Sequence, residues 1–497
     1  MATNFRKRPL KVVTDSEDDQ SDSRQRRDLH LTSRRVSTIA EEGKEDKKKT
    51  NSQIYNDYCH TLPIHTITKA SVLSKEAPPE NYSGFLRLGM LVLGASNIRL
   101  IIENWMKYGL LIGFPHSYIP LKDYLFFVVA WLSVPFSLSI SLVVEYGMGK
   151  LATKAKEGNP EYIKKLALLE RVVTVSHICH LLFLLTYPSY IVYTKIYHPL
   201  VGSSVLVICL VSFLKLTSYA LVNHELRQTY VTGKPGSEEF YTKDVAYPNN
   251  VSANNLLYFF FAPTLCYQPS YPRTPKFRKT FFLKRVGELC TCLLMMYVLA
   301  EQYAKPTLAN SIQALEDKKL VTIVERVLKL STTAVVIWLL MFYALFHAFL
   351  NALSELLCFG DRTFYLAWWN SGNLATYWRL WNRPVYLFFK RHVYIPAVQR
   401  GVPPALCQLW VFFVSAVLHE VLVGIPTHSL TGFAFWGMLG QIPLIALTHS
   451  IEKWRGKGTS LGNTIFWIVF CVVGQPTIAL LYYYQWTVTH KVAASTA

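Results

Sequence analysis

From residue 82 onward the chain alternates long apolar stretches with short basic connections. A helix needs roughly 20 apolar residues to cross a bilayer core. On that measure the pattern predicts nine spanning helices, beginning near Phe85, Leu121, Val172, Leu200, Phe281, Val327, Ala405, Phe433 and Thr464. Pro135, Pro188, Pro443 and Pro476 fall inside these runs, where neighbouring helices can satisfy the backbone groups that a proline frees. The expected fold class is all-α, a polytopic membrane helical bundle.

The polar stretches set boundaries and orientation. Residues 1–51 mix Lys/Arg, Asp/Glu and Ser without hydrophobic periodicity, so they cannot offset the entropy of ordering and read as a disordered cytosolic tail. Arg34-Arg-Val-Ser37 within it has the form of a basophilic kinase substrate. A pre-membrane segment, 52–83, leads into a membrane domain over 84–490, with a short tail at 491–497. The opening residues are polar and charged throughout, which predicts insertion by the first span rather than by a cleaved signal. Basic residues concentrate in the even connections, for example Lys150, Lys164 and Arg171, then Arg273, Arg278 and Lys279, then Arg383, Lys390 and Arg391. In the fifth connection Lys305, Lys318 and Lys319 are matched by Glu316, Asp317 and Glu325. The positive-inside rule places the N-terminus and the even loops in the cytosol, and nine spans put the C-terminus in the lumen. Residues 362–399 carry too many charges to span. Their mix of aromatic rings with Arg and Lys suits a segment lying in the membrane interface.

Composition sharpens the class. Of 497 residues, 51% are hydrophobic and 17% charged, too little polar surface for a soluble globule of this length. The net charge of +19 has no nucleic-acid module beside it and reads as loops facing an anionic leaflet. Among nine cysteines, Cys290 and Cys292 are spaced too tightly for a metal pair, while Cys179, Cys209 and Cys471 sit in apolar runs as packing residues.

The sharpest chemical signal is Ser415-Ala-Val-Leu-His419-Glu420, deep in an apolar run. An ionisable pair inside a span is costly and faces the bundle interior, so His419 is a candidate general base. Glu420 either stabilises its imidazolium or orders an internal hydrogen-bond network; the rival reading is a pair that only staples helices together. His177 and His180 lie one turn apart and read as buried hydrogen-bonding groups rather than metal ligands, for want of a second ligand pair. Glu103 and Lys107 have the spacing of a helix-stabilising ion pair. Gln441 and Gln475 stand beside prolines in apolar runs. There is no G-x-S-x-G elbow, Walker A loop or Rossmann fingerprint. A buried base without an evident nucleophile suits direct attack by a bound alcohol on an activated acyl donor. Ser415, one turn before His419, is the residue that tests this.

Phe364-Tyr-Leu-Ala-Trp-Trp-Asn370 resembles the FYxDWWN motif of the membrane-bound O-acyltransferase family, in its diacylglycerol and sterol acyltransferase branch. Phe261–Tyr267, Tyr271–Pro275, Arg391–Pro396, Gly440–Pro443 and Gly474–Pro476 resemble the diacylglycerol enzymes more than the sterol ones. The resemblance implies an endoplasmic-reticulum enzyme, nine spans around a buried reaction chamber, and a homodimer or homotetramer. Its substrates would be fatty acyl-CoA and 1,2-diacylglycerol among membrane lipids, with no cofactor, metal or nucleic acid. It implies His419, Glu420 and Asn382 as catalytic residues. Gln441, Gln475, Ser415, Met438, Trp368, Trp369, Asn370 and Tyr394 would be substrate-binding. Two positions depart from the pattern: Ala367 replaces the motif's Asp, and Tyr386 replaces a His common in the diacylglycerol branch. Other readings are a sterol or other lipid-alcohol acyltransferase and, in another class, a transporter or membrane scaffold.

Overall fold

The computed structural model describes residues 83–113, 119–233, 245–456 and 460–496. The polar tail with Ser37, and the pre-membrane segment up to residue 82, fall outside them. The described residues divide into two units, one ending at Asn97 and one from Ile98 onward. In the first, a helical stretch exposes Leu88, Leu91 and Leu93. It belongs to α1 (Ser83–Tyr108), whose last turns open the second unit. That unit continues with α2 (Leu121–Lys156), α3 (Pro160–Lys195), α4 (Pro199–Thr232), α5 (Lys279–Leu299), α6 (Leu320–Leu356), α7 (Pro404–Val423), α8 (Phe433–Arg455) and α9 (Leu461–Thr489).

Among the described residues seven helices, α2 to α4 and α6 to α9, are long and apolar enough to cross a membrane. The other two expected spans are helices of 26 and 21 residues, with Arg87 and Arg99 inside α1 and Lys284, Arg285 and Glu288 inside α5. Glu103 pairs with Arg99 at 2.8 Å rather than with Lys107. Both partners lie four residues away, and Lys107 instead places its ammonium 5.0 Å from the Tyr108 ring. Helical structure runs on to Thr496, through residues expected as a tail.

The starts and stops follow local chemistry. Asn159 accepts the Glu161 N–H ahead of Pro160, which fixes the first turn of α3. Pro199 and Pro404 open α4 and α7 in the same way, and Gly233, at φ 61°, closes α4 in the left-handed conformation. Of the four π-helical stretches among the described residues, Ala300–Ala304, Lys390–Tyr394 and Trp467–Gly474 stand just before Pro306, Pro396 and Pro476, while Tyr343–Phe349 has no proline behind it. A proline has no N–H to offer the preceding turn, and a wider turn accommodates the loss.

Two packed bodies result. One is α2, α3 and α4 with the connection around Tyr247–Tyr271; Leu184, Val205, Leu216 and Phe259 are its centre. The other is largely aromatic, with Trp338, Phe342 and Phe346 of α6 against Trp368, Tyr377 and Phe466. Leu214, Leu265, Phe388 and Phe389 join α4 to the interfacial segment and to α7. That segment is not a span but a series of short helices: Trp368–Asn370, Leu374–Leu380, Arg383–Phe389 and Ile395–Gln399.

Candidate active site

His419 lies near the end of α7. The residue is exposed rather than packed in a core. Nδ1 is 2.7 Å from the carbonyl oxygen of Ser415 and 3.4 Å from the Ser415 hydroxyl. A carbonyl can only accept, so Nδ1 carries the proton and Nε2 keeps the lone pair. The basic nitrogen therefore points away from the helix backbone. Phe412, Ser415 and His419 recur at helical spacing on one face of α7, and that face meets the interfacial segment where Trp378 packs edge-on to Phe412 at 6.0 Å.

Glu420 does something else. Successive helical residues point about 100° apart, and its carboxylate leaves the histidine face. It accepts the N–H groups of Gly432 at 2.9 Å and Phe435 at 3.1 Å, and the Tyr482 hydroxyl at 2.7 Å. The Tyr482 oxygen in turn accepts the Ala434 N–H. Glu420 is thus a cap for α8 supplied by α7 and braced from α9, with its negative charge at a helix N-terminus. Of the two roles read from sequence, the geometry fits ordering a network. Two glycines permit this and were missed. Gly432, at φ 79°, turns its N–H to the carboxylate. A Cβ on Gly424 would lie 2.6 Å from Glu420 Oε1 and 2.9 Å from the Glu420 carbonyl.

The remaining candidates are spread around these elements. Asn382 caps Arg383–Phe389 by accepting the Val385 N–H at 3.3 Å. On α8, Met438 is buried, and Gln441 donates to the Gly437 carbonyl at 3.2 Å while its Oε1 is buried without a hydrogen-bond partner. Gln475 is half-buried where the π-helical stretch of α9 ends. Among the described residues no hydrogen bond joins His419 to Asn382, Gln441 or Gln475. Trp368, expected among the substrate-binding residues, is buried between Trp338 and Phe342, at ring distances of 5.3 and 5.0 Å. Neighbouring Trp369 and Asn370 are exposed, and Tyr394 is half-buried. The alternation comes from the tight 3₁₀ turn, which directs consecutive indoles apart. Ala367 is exposed, and Tyr386 has the Arg383 and Lys390 cations 5.9 and 5.8 Å from its ring.

His177 and His180 belong to a buried ladder. His177 Nδ1 meets His180 Nε2 at 3.0 Å, and its Nε2 meets Glu145 at 3.0 Å. Arg227 then bridges Glu145 and Glu170, at 2.5 and 2.6 Å. Buried charges need such pairing, and here it ties α2, α3 and α4 together.

The family model that matches is the membrane-bound O-acyltransferase family, over residues 125–485. Similar proteins include diacylglycerol O-acyltransferase 1C of Glycine max, 36% identical over 453 residues, which are 90% of this chain and 84% of that protein. Diacylglycerol O-acyltransferase 1 of Arabidopsis thaliana is 37% identical over 431 residues, 86% of this chain and 78% of its own length. Its Dictyostelium discoideum counterpart is 36% identical over 420 residues, 84% and 64% respectively. With a histidine on an apolar membrane helix, an aromatic interfacial segment and a match over most of its length, the chain belongs to the membrane-bound O-acyltransferase family.

Proposed function

We propose that this protein transfers the acyl group of a fatty acyl-CoA to the free hydroxyl of 1,2-diacylglycerol, giving triacylglycerol and CoA in the endoplasmic-reticulum membrane. The observation that carries the reading is the tautomer of His419: Nδ1–H is committed to the Ser415 carbonyl, leaving Nε2 as a base with accessible surface inside an apolar span. Nε2 takes the hydroxyl proton, the alkoxide oxygen forms a bond to the thioester carbon, and the carbon–sulfur bond breaks. The same proton passes to the departing thiolate, so nothing is consumed beyond the two substrates.

Ser415 is not the nucleophile in this scheme. To activate its hydroxyl His419 would need a lone pair at Nδ1, where it holds a proton. Acyl-CoA approaches from the cytosolic connections, which carry the basic charge, and diacylglycerol from the bilayer. Asn382, Gln441 and Gln475 line the chamber around Nε2. Gln441 supports this with a buried, unpartnered acceptor, a costly arrangement that a substrate hydroxyl would relieve. We assign nine spans and a homodimer or homotetramer on the family pattern.

Membranes from cells expressing the protein, given labelled acyl-CoA with either diacylglycerol or a sterol, test the substrate class. The expected product is labelled triacylglycerol alone. A labelled sterol ester would move the protein to the sterol branch, and no ester at all would favour a transporter or scaffold.

A further inference from the structure

Two basic connections meet at a cavity of about 300 Å³. Cys266, Gln268 and Tyr271 form one wall, and Lys390 and Arg391 belong to the other, with Asp361 at the side. Two cations against one carboxylate leave the lining positive.

The walls are joined beneath the cavity by one side chain of α4. Ser218 is fully buried. Its hydroxyl oxygen accepts the Tyr267 N–H at 2.8 Å and lies 2.7 Å from His392 Nε2. That imidazole nitrogen is the acceptor in reach for the hydroxyl proton, so His392 is held with its proton on Nδ1. Tyr267 sits between the lining residues Cys266 and Gln268, and His392 directly follows Arg391. Arg391 Nη1 also donates to the Tyr267 carbonyl at 3.2 Å, which holds its guanidinium against the opposite wall with donors to spare.

We propose that Ser218 is a positioning residue for the acyl donor: its hydroxyl sets the spacing of the two walls, and the cavity between them takes a phosphate-bearing part of CoA. This rests on the acyl-CoA reading above. The chemistry fits a phosphate, with a pinned guanidinium, an ammonium and no requirement for base recognition. Removing the hydroxyl leaves a buried N–H and an imidazole nitrogen without partners, and the walls separate to recover them.

The test uses the purified full chain in zwitterionic lipid nanodiscs, measuring CoA binding directly and acyl-transfer kinetics in parallel. Ser218→Ala should raise both the CoA Kd and the acyl-CoA KM about five- to tenfold, a loss of the size expected for one buried hydrogen bond, with kcat within about twofold. Ser218→Thr, which keeps a hydroxyl, should recover most of that loss. Lys390→Gln alters only the rim and should weaken CoA binding whether or not Ser218→Ala folds. A wild-type CoA Kd in Lys390→Gln, or a Ser218→Ala protein that loses kcat at unchanged KM, overturns the proposal. So does a Lys390→Gln loss seen for anionic phospholipid but not for CoA. If wild-type protein binds CoA through this cavity yet transfers no acyl group, the acyltransferase reading fails while the cavity assignment stands.

Discussion

His419 and Glu420 are adjacent in the chain and have separate jobs. The histidine was legible because an imidazole is costly in an apolar run, and the same argument flagged the glutamate. What the sequence does not display is that a helix turns the next side chain away from the histidine face, onto α8 and α9. The Ser415 carbonyl, a backbone atom, was equally invisible, yet it fixes the tautomer. Because the carbonyl rather than the hydroxyl does so, Ser415→Ala should keep activity within about tenfold, and enzyme incubated with labelled acyl-CoA alone should carry no acyl adduct by intact-protein mass spectrometry. A stoichiometric adduct on Ser415 would replace direct attack with a two-step route. His392 offers a pH signature outside the spans. Burial, then the neighbouring Arg391 charge, lowers its pKa to about 4 from the usual 6.5. The folded state therefore refuses a proton that the unfolded chain accepts between those values. Its contribution to stability is full above pH 6.5 and is lost as pH falls toward 4. Thermal midpoints measured across that window should fall in the wild type and fall less in His392→Asn; parallel curves would mean that the folded protein does not hold His392 buried and neutral.

Helices α7, α8 and α9 are held together by one carboxylate and the glycines that make room for it. Adding a methyl group at Gly424 meets the Glu420 carboxylate, its carbonyl and the Ser429 carbonyl, at 2.6, 2.9 and 3.0 Å. Two of these are backbone atoms that cannot swing aside. Gly424→Ala should lower stability by about 1–3 kcal/mol and reduce kcat, since moving α7 moves His419. Thermal unfolding in detergent beside turnover would show both, and unchanged values would mean that α7 bends freely at this point. Element boundaries were partly readable: Asn159 before Pro160 and Asn382 before Arg383-Pro384 announce helix starts. Of the three prolines behind π-helical stretches, only Pro476 was readable as an interruption of an apolar run, and none as a widened turn. The fate of Trp368 against Trp369 was not, because both have the same composition and only the 3₁₀ turn separates an inward from an outward indole. Nor could sequence pair His177 with Glu145, 32 residues away, or Arg227 with Glu145, 82 away.

Across the whole molecule, the apolar pattern gave the all-α bundle directly, since no other arrangement satisfies the backbone of so many apolar runs in lipid. Seven helices meet the length and hydropathy expected of spans, while α1 and α5 carry charges that a partner or the interface must accommodate. Two of the basic connections border one cavity, and α4 links that cavity to the ion-paired body of α2 and α3. The account's central claim is that this architecture serves one base, His419 Nε2, acting directly between two lipid substrates. Its most direct test is turnover of labelled acyl-CoA and diacylglycerol by purified wild-type and His419→Ala protein, each first shown to be folded and to bind CoA. Loss of a general base costs about 10²–10⁴ in rate, so the variant should bind CoA as the wild type does and make triacylglycerol at least a hundredfold more slowly. A folded His419→Ala protein with near wild-type turnover would contradict the account.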